Sequence, residues 1–115
     1  MYSGNSEVLT VTILNTESLS DAANLAGFRI VAIVMPATWT AADLTFQSSH
    51  DGTTYNNVYD DAGNEVTVTA AASRFIYLVP AEWASMRYLK VRSGTSGAAV
   101  AQGGDRDILL ITRPV

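Results

Sequence analysis

The stretch "SSHDGTTYNNVYDDAGNEVTV", Ser48 to Val68, gathers the side chains best able to do chemistry. Four carboxylates, Asp51, Asp60, Asp61 and Glu65, stand among Asn and Gly, beside the chain's one histidine, His50. Calcium would be the natural cation for such oxygens, but an EF-hand loop needs ligands at alternate positions and a bidentate Glu at its twelfth. Counting from Asp51 places Thr53 and Tyr55 at the next two ligand positions, and counting from Asp60 places Ala62 at the second. "DGTT" and "DDAGNE" instead read as a turn between strands and a hairpin loop, with Gly52 supplying a positive φ. A calcium site built from backbone oxygens remains open. The sequence Ser48-Ser49-His50-Asp51 holds the residue types of a hydrolytic triad. Neighbouring strand residues point to opposite faces, however, so contiguity argues against convergence. A single histidine and no cysteine leave no His- or Cys-based metal set. The expectation is a non-enzymatic protein with no catalytic residues, no cofactor and no metal.

A second group carries charge rather than catalysis. "RYLKVR" holds Arg87, Lys90 and Arg92 beside Tyr88, with Leu89 and Val91 on the opposite parity. Nucleic acid would need a denser basic surface and a second aromatic platform. The chain's net charge of -4 also opposes it. Tyr88, Lys90 and Arg92 are therefore candidates for a protein contact, since Arg and Tyr are enriched at interface hot spots. The alternative is that they solvate a free sheet face. Tyr55 and Tyr59 could stack on sugar rings at a loop rim.

The elements that must position these groups are strands. At 115 residues the chain fits one domain, 1–115. Alternation or apolar runs predict strands over Glu7–Leu14, Phe28–Met35, Asp43–His50, Thr53–Tyr59, Glu65–Ala71, Arg74–Val79, Arg87–Ser93 and Arg106–Arg113. Phe28–Met35 and Arg74–Val79 are apolar on both parities and read as buried strands; the polar Thr53–Tyr59 reads as an edge. Clusters of Gly, Pro, Asn and Asp between them imply an all-β antiparallel sandwich of about eight strands, jelly-roll or discoidin-like. Residues 1–6 are expected to be flexible, and the Gly-rich Ser93–Gly104 a mobile loop.

"VMPATWTAADLTFQS" (Val34–Ser48) and "LVPAEWASMRYLKVRS" (Leu78–Ser93) repeat a plan of buried strand, Pro-Ala-x-Trp and a further strand. Pro36 and Pro80 end their strands, and Trp39 and Trp83 are expected to plug the sandwich ends.

Two resemblances rest on these motifs. "FQSSHDGTTYNNVY" followed by "SRFIYLVPAEWASMRYLKVRSGT" resembles the discoidin-type (coagulation factor type C) sandwich. That likeness covers Phe46 to Thr95 and implies a carbohydrate-binding module, although the family's cysteines and much of its N-terminal portion are missing here. The whole chain, through "GFRIVAIVMPATWTAADLTFQSSHDGTTY", "SRFIYLVPAEW" and "RYLKVRSGTSGAAVAQGGDRDILLI", is similar to small proteins encoded among the structural genes of tailed bacteriophages. This implies a virion structural protein: a capsid decoration, head-fibre, neck or tail component assembled in the host cytoplasm. Its expected partners are other virion proteins and itself as a homo-oligomer, with a glycan possible and neither nucleic acid nor membrane engaged. The low charge fits, for Asp, Glu, Lys and Arg make up 16% of the chain against about 25% in a typical domain.

Overall fold

The computed structural model describes residues 7–114; the expected flexible segment 1–6 lies outside them. Eight strands run β1 (Glu7–Ile13), β2 (Ala23–Asn24), β3 (Phe28–Val34), β4 (Leu44–Ser49), β5 (Asn56–Asn57), β6 (Phe75–Tyr77), β7 (Tyr88–Ser93) and β8 (Arg106–Pro114). One short 3-10 helix, Pro80–Trp83, precedes β7. The strands form two antiparallel four-stranded sheets of order β1-β8-β3-β6 and β2-β7-β4-β5. Every pair of successive strands is split between the two sheets except β4–β5, which form a hairpin within one. That winding is an eight-stranded jelly roll.

The expected alternation places the core. Leu44 and Phe46 of β4, Leu89 and Val91 of β7, Val11 and Ile13 of β1, Ile33 of β3 and Ile108 and Leu110 of β8 are buried between the sheets. The two Pro-Ala-x-Trp segments diverge. Pro80–Trp83 winds into the 3-10 helix and buries Trp83, whose ring meets Phe46 edge to face at 4.8 Å. Trp39 is only half-buried, its Nε1 donating to the Ala42 carbonyl at 3.0 Å.

Three expectations need correction. The predicted strand Glu65–Ala71 is not a ladder strand: it makes isolated contacts, a bridge of Glu65 to Tyr59, a hydrogen bond of 3.0 Å from Val66 N to Val58 O, and a pair of 2.9 Å between Val68 and Leu44. Its parity was nonetheless informative, because Val66, Val68 and Ala70 pack on the core. The eighth strand is instead the two-residue β2, beside β7. Arg74–Val79 is not a buried strand. Within it β6 forms a sheet edge, with Phe75 69% and Tyr77 82% exposed, while Leu78 is buried.

The segment Ser93–Gly104, expected to be mobile, is held by a hydrogen-bonded frame. Gly94 and Ala99 form a bridge, and Gln102 is buried with every hydrogen-bonding group satisfied. Its Oε1 accepts from Thr40 N and Arg106 Nε, and its Nε2 donates to Thr40 O and Ser93 Oγ, all within 2.7–3.0 Å. A buried amide so paired fixes the loop, since leaving it unpaired would cost a desolvation penalty of about 1–3 kcal/mol.

Candidate binding surfaces

The carboxylates of the Ser48–Val68 stretch serve its turns. Asp51 Oδ1 accepts hydrogen bonds from Thr53 N (2.9 Å), Thr54 N (3.0 Å) and Ser49 Oγ (2.8 Å). The Thr54 amide, then that of Thr53 and the Ser49 hydroxyl, hold its carboxyl well below the usual carboxylate range. Gly52 takes the predicted positive φ, +80°. Asp60 repeats the device: its Oδ1 accepts from Asn64 N (2.9 Å) and Ala62 N (3.0 Å), and the Asn64 amide above all lowers its pKa. Gly63, at φ +88°, completes a hairpin closed by the Tyr59–Glu65 bridge. Around His50, the Ser48 hydroxyl donates to Tyr88 O and the Ser49 hydroxyl to Asp51, while the imidazole is 89% exposed. Neither serine is directed at the histidine.

Tyr88, Lys90 and Arg92 do share the outer face of β7, as alternation required, but each is engaged within the chain. The Tyr88 ring lies against the Gly52 turn, so close that a Cβ on Gly52 would sit 3.2 Å from it. Lys90 Nζ stands 4.3 Å from the centre of the Tyr55 ring, a cation–π contact that takes up one face of that ring. Arg92 was expected to point outward into solvent and instead is 7% exposed. Its guanidinium bonds Asn57 Oδ1 (2.5 Å), Thr45 Oγ1 (3.3 Å) and Glu65 Oε2 (3.3 Å). The hairpin carrying Glu65 and the loop after β7 close over it, with Ser96 N donating to the same carboxylate. No local pattern announces this pair, whose members lie 27 residues apart.

The free surface lies on the other sheet. The registers β1–β8, β8–β3 and β3–β6 align two outward rows across all four strands. One is Val8–Ile111–Ala32–Tyr77 and the other Thr10–Leu109–Val34–Phe75. Neither row holds a charged residue. Val8, Phe75 and Tyr77 are largely exposed, while Leu109, Ile111 and Val34 are half-buried.

A groove of about 840 Å³ opens along the seam between the β6 edge and the segment 58–68. Its floor is apolar, with Val66, Val68, Ile76, Leu78, Trp83 and Met86. Its rim carries Tyr59, Tyr77, Asp60, Asp61, Glu65 and Glu82, and no Lys, Arg or His lines it. Of the two tyrosines expected at a ligand rim, Tyr59 lines this groove and Tyr55 lies elsewhere beneath Lys90. Tyr77 was missed because its strand read as buried, and Glu82, in the 3-10 helix Pro80–Trp83, because that segment read only as a strand end and a tryptophan plug. Comparison of the chain with family models, with curated proteins and with solved structures finds no match in any of the three.

Proposed function

We propose that the chain is a non-enzymatic structural protein of a tailed-bacteriophage virion, a capsid decoration, head-fibre, neck or tail component that works by packing against other subunits, including copies of itself. Two uncharged, largely apolar rows on the outer face of the β1-β8-β3-β6 sheet carry this reading. An antiparallel sheet normally keeps one face on the core and one polar face in water. Here Val8, Leu109, Ile111, Val34, Phe75 and Tyr77 occupy the solvent side. Contiguous apolar surface of this kind marks a place where another molecule sits. The jelly-roll winding and the low charge are in keeping with a building block, and symmetric assembly would repeat one such contact many times. Mass spectrometry of purified particles tests the reading: the chain is expected as a stoichiometric component, and particles without it would refute it.

A discoidin-like carbohydrate module is the second reading, favoured by the exposed Tyr59 on the groove rim. A multivalent glycan array showing saturable binding that disappears in Tyr59→Ala would support it; a blank array would remove it.

A further inference from the structure

The edge strand β6 leaves backbone groups unpaired beside the groove. In its antiparallel pairing with β3, Leu78 N donates to Val31 O and Met35 N to Arg74 O, both at 2.8 Å. Alternation then turns the N–H and C=O groups of Arg74, Ile76 and Leu78 toward β3, and those of Phe75 and Tyr77 toward the open edge. Among the described residues nothing hydrogen-bonds them. An exposed edge with apolar side chains is a template for a further strand. Edges of this kind are usually blunted by shortness, an edge Lys, a proline or a bulge; β6 is short, at three residues, but carries no Lys, proline or bulge between Phe75 and Tyr77.

The groove beside that edge states what the added strand should look like. Its floor of Val66, Val68, Ile76, Leu78, Trp83 and Met86 suits aliphatic side chains, and its rim is wholly acidic where it is charged. Glu65 is committed to Arg92, which leaves Asp60, Asp61 and Glu82 facing the opening. Asp60 keeps its charge because turn amides hold its pKa low. A second copy of the chain would bring the same acidic rim and a net charge of -4 to this seam, and like charges oppose that union.

We propose that β6 and the adjoining groove bind an extended segment of another protein by strand addition, with aliphatic residues entering the groove and Lys or Arg residues meeting Asp61 and Glu82. The backbone of Phe75 and Tyr77 would supply the ladder, and alternate side chains of the guest the specificity. Saccharides suit the site less well, since its floor offers aliphatic surface where sugar hydroxyls need polar partners. The proposal does not depend on the virion reading: an isolated chain suffices to test it.

The experiment is a titration of the ¹⁵N-labelled chain with a capped heptapeptide alternating Lys and Val, and with its Glu–Val counterpart, followed by amide chemical shifts. The Lys–Val peptide is expected to move the Phe75 and Tyr77 amides most, with affinity falling as salt rises. Tyr77→Pro deletes the edge-facing N–H, at a place where strands tolerate proline, together with the exposed ring; Tyr77→Ala removes the ring alone, and the proline variant should bind roughly tenfold more weakly than the alanine one. The paired exposed changes Asp61→Lys and Glu82→Lys should weaken binding by about tenfold as well. They keep the test valid if Tyr77→Pro fails to fold, which each variant's own amide spectrum reveals. Unmoved Phe75 and Tyr77 amides, equal response to the Glu–Val peptide, or a doubled mass that Tyr77→Pro abolishes, which would put a second copy on the edge, would each overturn the proposal.

Discussion

Arg92 Nη1 lies 3.3 Å from Glu65 Oε2, with the two side chains 8% and 15% exposed. The pair ties β7 to the Tyr59–Glu65 hairpin, and through Ser96 N to the loop after β7. Its burial decides how removal of either partner should behave. Replacing Glu65 by Ala strands a guanidinium that keeps only Asn57 and Thr45 as acceptors. Breaking a buried pair in this way costs about 3 kcal/mol. A chemical denaturation series should show that loss in Glu65→Ala. The double variant Glu65→Leu with Arg92→Met should recover much of it, because no charge is then left unpaired. Additive losses in the double variant would show that the two side chains act separately.

Two glycines with φ of +88°, Gly63 and Gly94, separate conformational strain from crowding. A Cβ at Gly63 meets nothing within 4 Å, so Gly63→Ala should cost only the left-handed backbone, about 1 kcal/mol. At Gly94 the same atom would stand 2.6 Å from Ala98 O and 2.8 Å from Val100 N, both backbone atoms that cannot swing aside. Gly94→Ala should therefore be clearly the more damaging, and should also disturb the buried Gln102 frame. Thermal melts giving equal shifts for the two would contradict the packing described for Ser93–Gly104.

Six strands were legible because their apolar residues alternate or run continuously, β1, β3, β4, β6, β7 and β8, and the polar Thr53–Tyr59 was legible as the edge that contains β5. β2 was not, since Ala23–Asn24 is too short to show any period and is set by its neighbours Leu89 and Tyr88. Val66–Ala70 alternates as a strand does, and its apolar parity does reach the core, but alternation reports burial and not pairing. The apolar run Arg74–Val79 is ambiguous for a physical reason: both parities being apolar is compatible with cover on two sides or with an apolar face left open. The second case holds, and the groove rim at Tyr77 went unseen with it. The turn roles of Asp51, Gly52 and Asp60 are local and were readable. Arg92 was not, because its acceptors Asn57 and Glu65 come from another hairpin.

The turn carboxylates give a signed pH dependence. Folding lowers the pKa of Asp51 and Asp60 from their ordinary value of 3.8. A group whose folded pKa is depressed stabilises the fold above its unfolded pKa and loses that contribution as pH falls through the folded one. Stability should thus be constant near neutrality and decline progressively below about pH 4. Asn at position 51 retains the Oδ1 acceptor for Thr53 and Thr54 without the charge. Asp51→Asn should keep the turn and show a smaller decline in acid than the parent. A variant with the parent's full acid dependence would mean that Asp51 contributes none of it.

The outer face of the β1-β8-β3-β6 sheet offers the last test, since it separates fold from assembly. Leu109 and Val34 pair across β8 and β3, and Phe75 pairs with Val34 from the edge, so the three form one continuous apolar row. Phe75 at 69% exposure contributes little to the core, so Phe75→Lys should leave the melting temperature nearly unchanged. A lysine in that row would nonetheless have to be desolvated if another subunit packs there, a penalty of several kcal/mol unless it is paired. Phe75→Lys should therefore fold as the parent does and fail to be incorporated when supplied to assembling particles. Phe46→Ala, which removes the ring that meets Trp83 between the sheets, should do the reverse and lower stability by about 3–5 kcal/mol. Unimpaired incorporation of a folded Phe75→Lys protein would move the subunit contact off this face.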